Sequence, residues 1–555
     1  MIIKRLFLIL LLAGRVNAQV YDRAVVVSAD PLASSVGADV MRDGGNAVDA
    51  AVSTFFMLAV TYPQAGNLGG GGFLVLRLAD GITAALDFRE VAPAAATRDM
   101  YLDDTGAPQP ALSQRGALAS GVPGSVRGLF EAHRRYGSKP WAELLEPAIR
   151  TAEAGYALPA GLASALNGAA ARFREHGADS FLAPPGRTWE PGDVWVQRDL
   201  ARTLRRIAER GPDGFYAGES ADALVETLSE RGGLITHDDL RRYAPVWRTP
   251  ATATVGAHEL IMMPLPSSGS LVIGQVLGMV GSTDLASLAP GSPAFIHRLA
   301  EAERRAFADR NWHLGDPDFV RVPVAGLLDS TYLARRFADF HPDRATPSAD
   351  VQHGTPPGVV ESPETTHFSV VDAAGNAVAL TTTLNGSFGS YVEVRGAGFL
   401  MNNEMDDFSI KPGTRNMFGL TGATANAIEP SKRMLSSMTP TIVLENGELR
   451  MVLGAAGGPR IITTVLQNFI NGASHGMDAE QAVAFPRFHH QHLPDELSVE
   501  PGLLTPEAEA ALTRMGHTLK PTPGANSRAH ILFIRRDGKR HGAPDPRGYG
   551  TATGF

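Results

Sequence analysis

The chain has 555 residues, 44% apolar and 19% charged, with a formal net charge of −8, 50 Lys and Arg against 58 Asp and Glu, and no cysteine. Nothing in this balance argues for nucleic acid or an anionic membrane as partner. The missing cysteine excludes disulfides, thiolate metal sites and a cysteine nucleophile. A hydroxyl or a carboxylate must carry any covalent chemistry, and an anionic small molecule needs a local cationic site.

The first element in chain order is a targeting segment. Lys4 and Arg5 precede the apolar run from Leu6 to Ala13, and Val16-Asn17-Ala18 offers the small residues of a signal-peptidase site. Cleavage after Ala18 makes residues 1–18 a signal peptide and implies an exported protein, periplasmic or secreted. Arg15 beside that site leaves an uncleaved anchor as the alternative, but the run is too short for an ordinary membrane-spanning helix. Segments 24–29, 73–78 and 366–372 have strand patterns, and Asn46 to Val60 reads as a helix buried on most sides. The glycine run 69–72 lacks the Lys-Ser/Thr and the spacing of a nucleotide loop. A second helix is expected from Pro293 to about Arg310, capped by Ser292. Phe295, Leu299, Ala302 and Ala306 fall on one face with charges opposite, which predicts an amphipathic surface helix.

From His341 to Glu364 the chain is proline-broken and poor in large apolar residues, and it reads as an exposed, poorly ordered connector. It ends at Glu364-Thr365, where a period-2 strand begins. A threonine there has a hydroxyl nucleophile whose base is its own α-amine, once a cut after Glu364 frees it. Plain β-propensity is the alternative reading of the Thr365-Thr366 pair. Residues 366–372 and 376–384 form a hairpin whose turn places Gly375 at the left-handed position. With Ala374 at the loop centre, paired residue numbers sum to 748, so Thr383 lies opposite Thr365 and Asn385 follows on the same face.

Several polar stretches suit a zwitterionic ligand. Leu400 to Phe408 places Glu404, Asp406 and Asp407 within four positions, although a solvated acidic loop has the same composition. Ser436 and Ser437 lie between Leu435 and Met438, an odd setting for hydroxyls without partners. Gly454-Ala455-Ala456-Gly457-Gly458 offers unshielded backbone N–H groups for an oxyanion, or is a purely conformational turn. Arg89 can grip a carboxylate with two parallel hydrogen bonds or pair with Asp87 or Glu90. His489, His490 and His492 lack the partners of a zinc site, so no metal is expected.

Taken together, Thr365-Thr366-His367, Leu400 to Ser409, Leu435 to Met438, Gly457 to Arg460 and Pro486 to His490 resemble the γ-glutamyltranspeptidase (glutathione hydrolase) family of N-terminal-nucleophile hydrolases, through nearly the whole mature chain. The resemblance implies an α+β, four-layer α/β/β/α sandwich of two intertwined subunits from one precursor. The large subunit is then 19–364, ending in the connector 341–364, and the small subunit 365–555. Thr365 matches the processing and catalytic threonine, with cleavage between Glu364 and Thr365, and Thr383 matches the residue that orients it. Arg89, Ser436 and Ser437 match the grip on the substrate α-carboxylate, Asn385, Glu404 and Asp407 the cradle for its α-ammonium, and Gly457 and Gly458 the oxyanion hole. Lys411 to Gly422 matches a lid loop, with Phe418 where tyrosine is frequent, and Pro459 stands where serine is common. The implied activity is transfer of a γ-glutamyl group from donors such as glutathione to water, amino acids or dipeptides, without a cofactor or a nucleic-acid partner. A glutaryl-type cephalosporin acylase and an unprocessed binding protein are the rival readings.

Overall fold

The computed structural model describes residues 19–356, 366–522 and 527–555, so the signal segment, Glu364 and Thr365 lie outside the described residues. Two antiparallel sheets stack face to face and carry helices on both outer sides. The first sheet runs in the order Thr551–Gly554, Val25–Ser28, Thr366–Val371, Ala377–Thr383, Gly71–Arg77, Thr83–Phe88 and Val246–Arg248. The second runs Gln19–Tyr21, Arg540–Pro544, Arg528–Ile534, Glu448–Leu453, Thr441–Glu445, His258–Met262 and Ala251–Val255, with Ala455–Ala456 paired onto Arg528–Ile534.

The alternation of side chains explains the layering. In the first sheet Val25, Val27, Phe73, Val75 and Ala379 point inward, against Ile442, Val452 and Leu532 of the second. Val26, Leu74, Leu76, Phe368 and Val370 point outward, against Phe55 and Phe56 of the helix Ala47–Thr61. Each such side chain buried contributes about 1.5–3 kcal/mol relative to exposure. The second sheet packs its outer face on the helices Gly269–Val280, Pro293–His313 and Arg460–Ala473. The four-layer α/β/β/α architecture expected from the family resemblance is the one observed. Strands from both sides of position 364 contribute to both sheets and pair with one another in each.

Local signals read as expected in several places. Asn46 caps Ala47–Thr61, accepting from Val48 N (2.9 Å) and Asp49 N (3.1 Å), and every residue of that helix is buried. Ser292 caps Pro293–His313 through Phe295 N at 3.2 Å. The hairpin register is Thr366↔Thr382 and His367↔Thr381, the register expected from the turn, with Gly375 at φ 90°. The glycine run 69–72 is a place of close backbone approach. A Cβ at Gly70 would lie 2.0 Å from the Thr383 carbonyl oxygen, and one at Gly72 would lie 2.3 Å from that of Thr381.

Two expectations need correction. Pro293–His313 is not a surface helix: Glu301, Glu303, Arg304, Arg305, Asp309 and Arg310 are all buried. Burial of those charges is sustained by pairing. Arg304 Nε meets Glu301 at 3.1 Å, Arg305 Nη1 meets the same carboxylate at 2.8 Å, and Arg336 Nη2 meets Asp309 at 2.8 Å. The connector is largely exposed in its described part, 341–356, as expected, but it is docked at several points. Ala345 N donates to Met515 O (2.6 Å), His492 Nε2 donates to the carbonyls of Ser348 and Val351, and all three of Ala345, Ser348 and Val351 are buried. Backbone hydrogen bonds, which composition does not register, hold this segment down.

Buried histidines give the fold an acid limit. Burial above all lowers His490 and His530 to about 4 and His517 to about 3. The unfolded chain protonates these rings near pH 6.5, while the folded chain keeps them neutral until pH 4 or below. Unfolding therefore takes up protons across that window, and stability falls as pH falls through it, by about 1.4 kcal/mol per proton per pH unit. The expected result is a thermal midpoint clearly lower at pH 5 than at pH 7.5, and lower still at pH 4.5. An unchanged midpoint would contradict the neutral buried rings.

Candidate active site

Arg89 follows the strand Thr83–Phe88 and ends in a fully buried position, where three elements meet. Its Nη1 lies 2.6 Å from Glu404 Oε2, its Nη2 lies 2.5 Å from Asp407 Oδ2, and its Nε donates to Met434 O at 3.2 Å. The duller pairings take a lesser part: Glu90 is 3.6 Å from Nη1, and Asp87 Oδ1 accepts only the Arg89 backbone N–H. One guanidinium thus faces three buried carboxylates. Burial raises Glu404, Asp407 and Glu90 above the usual carboxylate range against the pull of Arg89, Glu90 to about 8. The acidic stretch is therefore the wall of an enclosed polar site, formed by the short helical turn Glu404–Asp407.

Asn385 enters this wall from the end of Ala377–Thr383. It adopts φ 72°, a left-handed conformation that asparagine tolerates, and its N–H donates to Thr383 Oγ1 at 2.6 Å. Its amide Nδ2 donates to Asn403 O at 2.9 Å, next to Glu404. Asn385 Oδ1 and Asp407 Oδ1 are buried and, among the described residues, receive no hydrogen bond. Thr383 is buried on the face shared with His367 and Thr381, and His367 Nδ1 and Thr381 Oγ1 are 2.9 Å apart.

Ser436 and Ser437 complete the opposite side. The loop before Gly269–Val280 pins them: Ser436 N donates to Pro266 O, and Ser268 N donates to Ser436 O, both at 2.7 Å. Arg89 Nη2 also reaches Leu435 O at 3.4 Å, which joins the serines to the guanidinium. Ser436 Oγ accepts from Met438 N (3.1 Å), and Ser437 Oγ accepts from Arg310 Nη2 (3.2 Å).

The glycine segment runs beside the start of Thr366–Val371. A Cβ at Gly454 would lie 2.2 Å from His367 Nδ1, so the loop presses directly on that strand. Gly457 (φ 128°) and Gly458 (φ 68°) then hold positive φ immediately before Arg460–Ala473. Their N–H groups sit at the positive end of a 14-residue helix dipole. The segment Lys411 to Gly422 is a small hairpin, with Gly413 N on Gly422 O at 3.1 Å and Asn416 N on Leu420 O at 2.9 Å. It leans on the acidic wall through Met417 N and Asp406 Oδ2 (3.0 Å), and Gln491 Nε2 donates to Phe418 O at 3.3 Å.

The structure therefore gathers Arg89, Thr383, Asn385, Glu404, Asp407, Ser436 and Ser437 around one buried polar site, with Gly457 and Gly458 beside the strand that follows Thr365. Arg310 was missed by the sequence reading because its helix looked solvent-facing. The available signal was that Glu301, Glu303, Arg304, Arg305, Asp309 and Arg310 point in all directions around a helix, leaving no single wet face. His489, His490 and His492 serve as hydrogen-bonding struts. His489 lies between Thr463 Oγ1 (3.0 Å) and Gln491 Oε1 (2.9 Å), and His490 Nδ1 accepts from His492 N. Among the described residues His297, Glu301 and His517 bring possible ligand atoms within 4.8 Å of one another. Glu301 there is already neutralised by Arg304 and Arg305, and His297 bonds through both nitrogens.

Known proteins resemble the chain in both sequence and fold. The chain is 47% identical over 538 residues to a glutathione hydrolase proenzyme of Pseudomonas aeruginosa, covering 96% of this chain and 95% of that protein. The crystal structure of a cephalosporin acylase from Bacillus halodurans superposes with a TM-score of 0.85 at 27% identity, over 98% of this chain and 97% of that one. A chain of Helicobacter pylori gamma-glutamyltranspeptidase matches at 43% identity and a TM-score of 0.58, covering 59% of this chain and 94% of that one. The family model described as gamma-glutamyltranspeptidase matches residues 33–555, and the chain belongs to that family.

Proposed function

We propose that the chain is a precursor that cuts itself between Glu364 and Thr365 and then acts as a γ-glutamyltransferase and glutathione hydrolase through Thr365. The observation that carries the substrate class is the pairing of opposites in the buried site. Among the described residues Asn385 Oδ1 and Asp407 Oδ1 receive no hydrogen bond, while the Arg89 guanidinium beside Asp407 and the Ser437 hydroxyl, which accepts from Arg310, are donor groups of the same site. An α-ammonium beside an α-carboxylate satisfies both sets.

In the precursor the Thr365 hydroxyl adds to the Glu364 carbonyl, the peptide nitrogen leaves as an amine, and water hydrolyses the ester. The freed α-amine takes the hydroxyl proton when Thr365 attacks a γ-glutamyl amide. Gly457 and Gly458 N–H groups hold the tetrahedral oxyanion, and one such donor contributes about 3–4 kcal/mol. The amine leaves with the proton, and the γ-glutamyl ester passes to water or to an amino-acid or dipeptide amine. Thr383, itself fixed by Asn385 N–H, orients the nucleophile. Phe418 belongs to the lid that closes the donor site, where it offers no phenol hydroxyl. The matured units are 19–364 and 365–555, intertwined. Export to the periplasm or medium follows from residues 1–18, and no helix among the described residues is long and apolar enough to cross a membrane.

The fold likeness to a cephalosporin acylase supports a second reading, in which the donor is a glutaryl amide without the α-ammonium. The acids at positions 404 and 407 favour the first. The deciding measurement compares hydrolysis of γ-glutamyl and glutaryl anilides by matured protein. The expected result is a kcat/KM at least about a hundredfold higher for the γ-glutamyl donor, on the order of one buried charged partner. A preference for the glutaryl donor would overturn the assignment.

A further inference from the structure

We infer that Arg310 is the positioning residue that turns the Ser437 hydroxyl toward the substrate α-carboxylate, making it a determinant of specificity for carboxylate-bearing donors. This rests on the reading of Ser437 given above and adds a residue from a separate element, the helix Pro293–His313.

A serine hydroxyl has one proton and two lone pairs, whereas a guanidinium only donates and stays charged at every accessible pH. In the Arg310 Nη2–Ser437 Oγ bond at 3.2 Å, the serine therefore has to be the acceptor. Its own O–H is left to donate elsewhere. Ser437 is fully buried, and among the described residues no acceptor receives that proton; the Ser437 carbonyl is taken by Thr439 Oγ1 at 2.7 Å. A buried hydroxyl proton without an acceptor is costly, and an incoming carboxylate oxygen removes that cost.

The charge count around Arg89 points the same way. Arg89 is the guanidinium facing Glu90, Glu404 and Asp407, all buried. Shared among three acids, Arg89 alone leaves a carboxylate only part of a positive charge. Arg310 supplies a second positive charge on the serine side. It is held by Asn311 Oδ1 at 3.0 Å and lies 5.6 Å from the Phe307 ring centroid, so its fork is fixed before a ligand arrives. The carboxylate of the donor is thereby drawn to the serines and the ammonium to the acids, which orients the γ-carbonyl in one direction only.

The test uses the full chain, with maturation into two bands checked first. Three donors are compared: a γ-glutamyl anilide, a glutaryl anilide that keeps the carboxylate, and a 4-aminobutanoyl anilide that lacks it. Arg310→Met is expected to raise KM for the γ-glutamyl donor at least about tenfold, the scale of one hydrogen bond to a charged group, with kcat changed less than about threefold. Loss on the glutaryl donor should match, and kcat/KM for the 4-aminobutanoyl donor should stay within about twofold. Because Arg310 acts through the serine, Arg310→Met in a Ser437→Ala background should add less than about twofold. A matured variant with wild-type KM, equal losses on all three donors, or full additivity with Ser437→Ala would each overturn the role. If Arg310→Met does not mature, Arg310→Lys decides: the kcat/KM ratio of γ-glutamyl to 4-aminobutanoyl donor must fall at least about threefold, since one ammonium replaces a planar fork. An unchanged ratio rejects the proposal. Wild-type protein with no preference for carboxylate-bearing donors would instead refute the reading of the site itself.

Discussion

Thr365→Ala is expected to leave the precursor as a single full-length band and to remove γ-glutamyl release, by about 10⁴-fold or more, as expected for loss of a nucleophile. The argument combines chemistry with position. The observed register, Thr366↔Thr382, carries the strand to the residue immediately after Thr365, and Gly454 presses on His367 one residue further on. The glycine donors and the hairpin are thus assembled whether or not a hydroxyl is present at 365. Substitution should therefore remove chemistry and leave folding intact: far-UV circular dichroism and the thermal midpoint should match an uncut wild type. Mass spectrometry of the wild type should find a fragment beginning at Thr365. Two bands from Thr365→Ala, or an uncut wild type with full activity, would defeat both the cleavage site and the nucleophile.

The second large effect is expected at Arg89. Arg89→Gln removes the positive charge between Glu90, Glu404 and Asp407 and leaves all three buried. Breaking a buried pair in this way costs about 3–5 kcal/mol, because the remaining acids must take up protons or stay unpaired. The sign follows from those acids. Their folded values are already raised by burial, and loss of Arg89 raises them further, so the variant should be least impaired at low pH. Above about pH 8, where wild-type Glu90 gives up its proton and the variant's does not, its thermal midpoint should fall further behind the wild type with each unit. Activity on a γ-glutamyl anilide should drop at least about a thousandfold, since folding and carboxylate binding both suffer. Arg89→Lys separates the two: it keeps the charge and most of the stability but loses the bidentate grip, and should raise KM with a smaller loss of midpoint. A stable Arg89→Gln with wild-type KM would show that the guanidinium is neither a counter-ion nor a ligand.

Legibility differed sharply between kinds of feature. The hairpin was readable because a turn glycine fixes the register, and the register fixes which hydroxyls face each other. The helix Ala47–Thr61 was readable because Asn46 and its apolar run agree. The helix Pro293–His313 was misread because a period-3.6 pattern gives the direction of apolar residues but not whether the opposite face meets water or a partner charge. Glu301, Arg304, Arg305 and Asp309 find partners on the same helix or at Asp339 and Arg336, remote enough in sequence that no local pattern reports them. The site shows the same divide. Acidic residues at 404 and 407 were visible, but their closure around Arg89, more than three hundred positions away, is a product of the two-sheet stack. Arg310 was lost for the same reason as its helix.

The interleaving of strands from both sides of position 364 has a last consequence. Self-scission after folding would erase the covalent link that once guided the two pieces together, yet neither piece can depart without tearing both sheets apart. Dilution should therefore leave the halves associated indefinitely, whereas a denatured mature sample has forfeited its tether and must find its mate by collision among interdigitated ladders. Maturation of this kind would run in one direction only: the uncut chain should refold more readily than its separated halves.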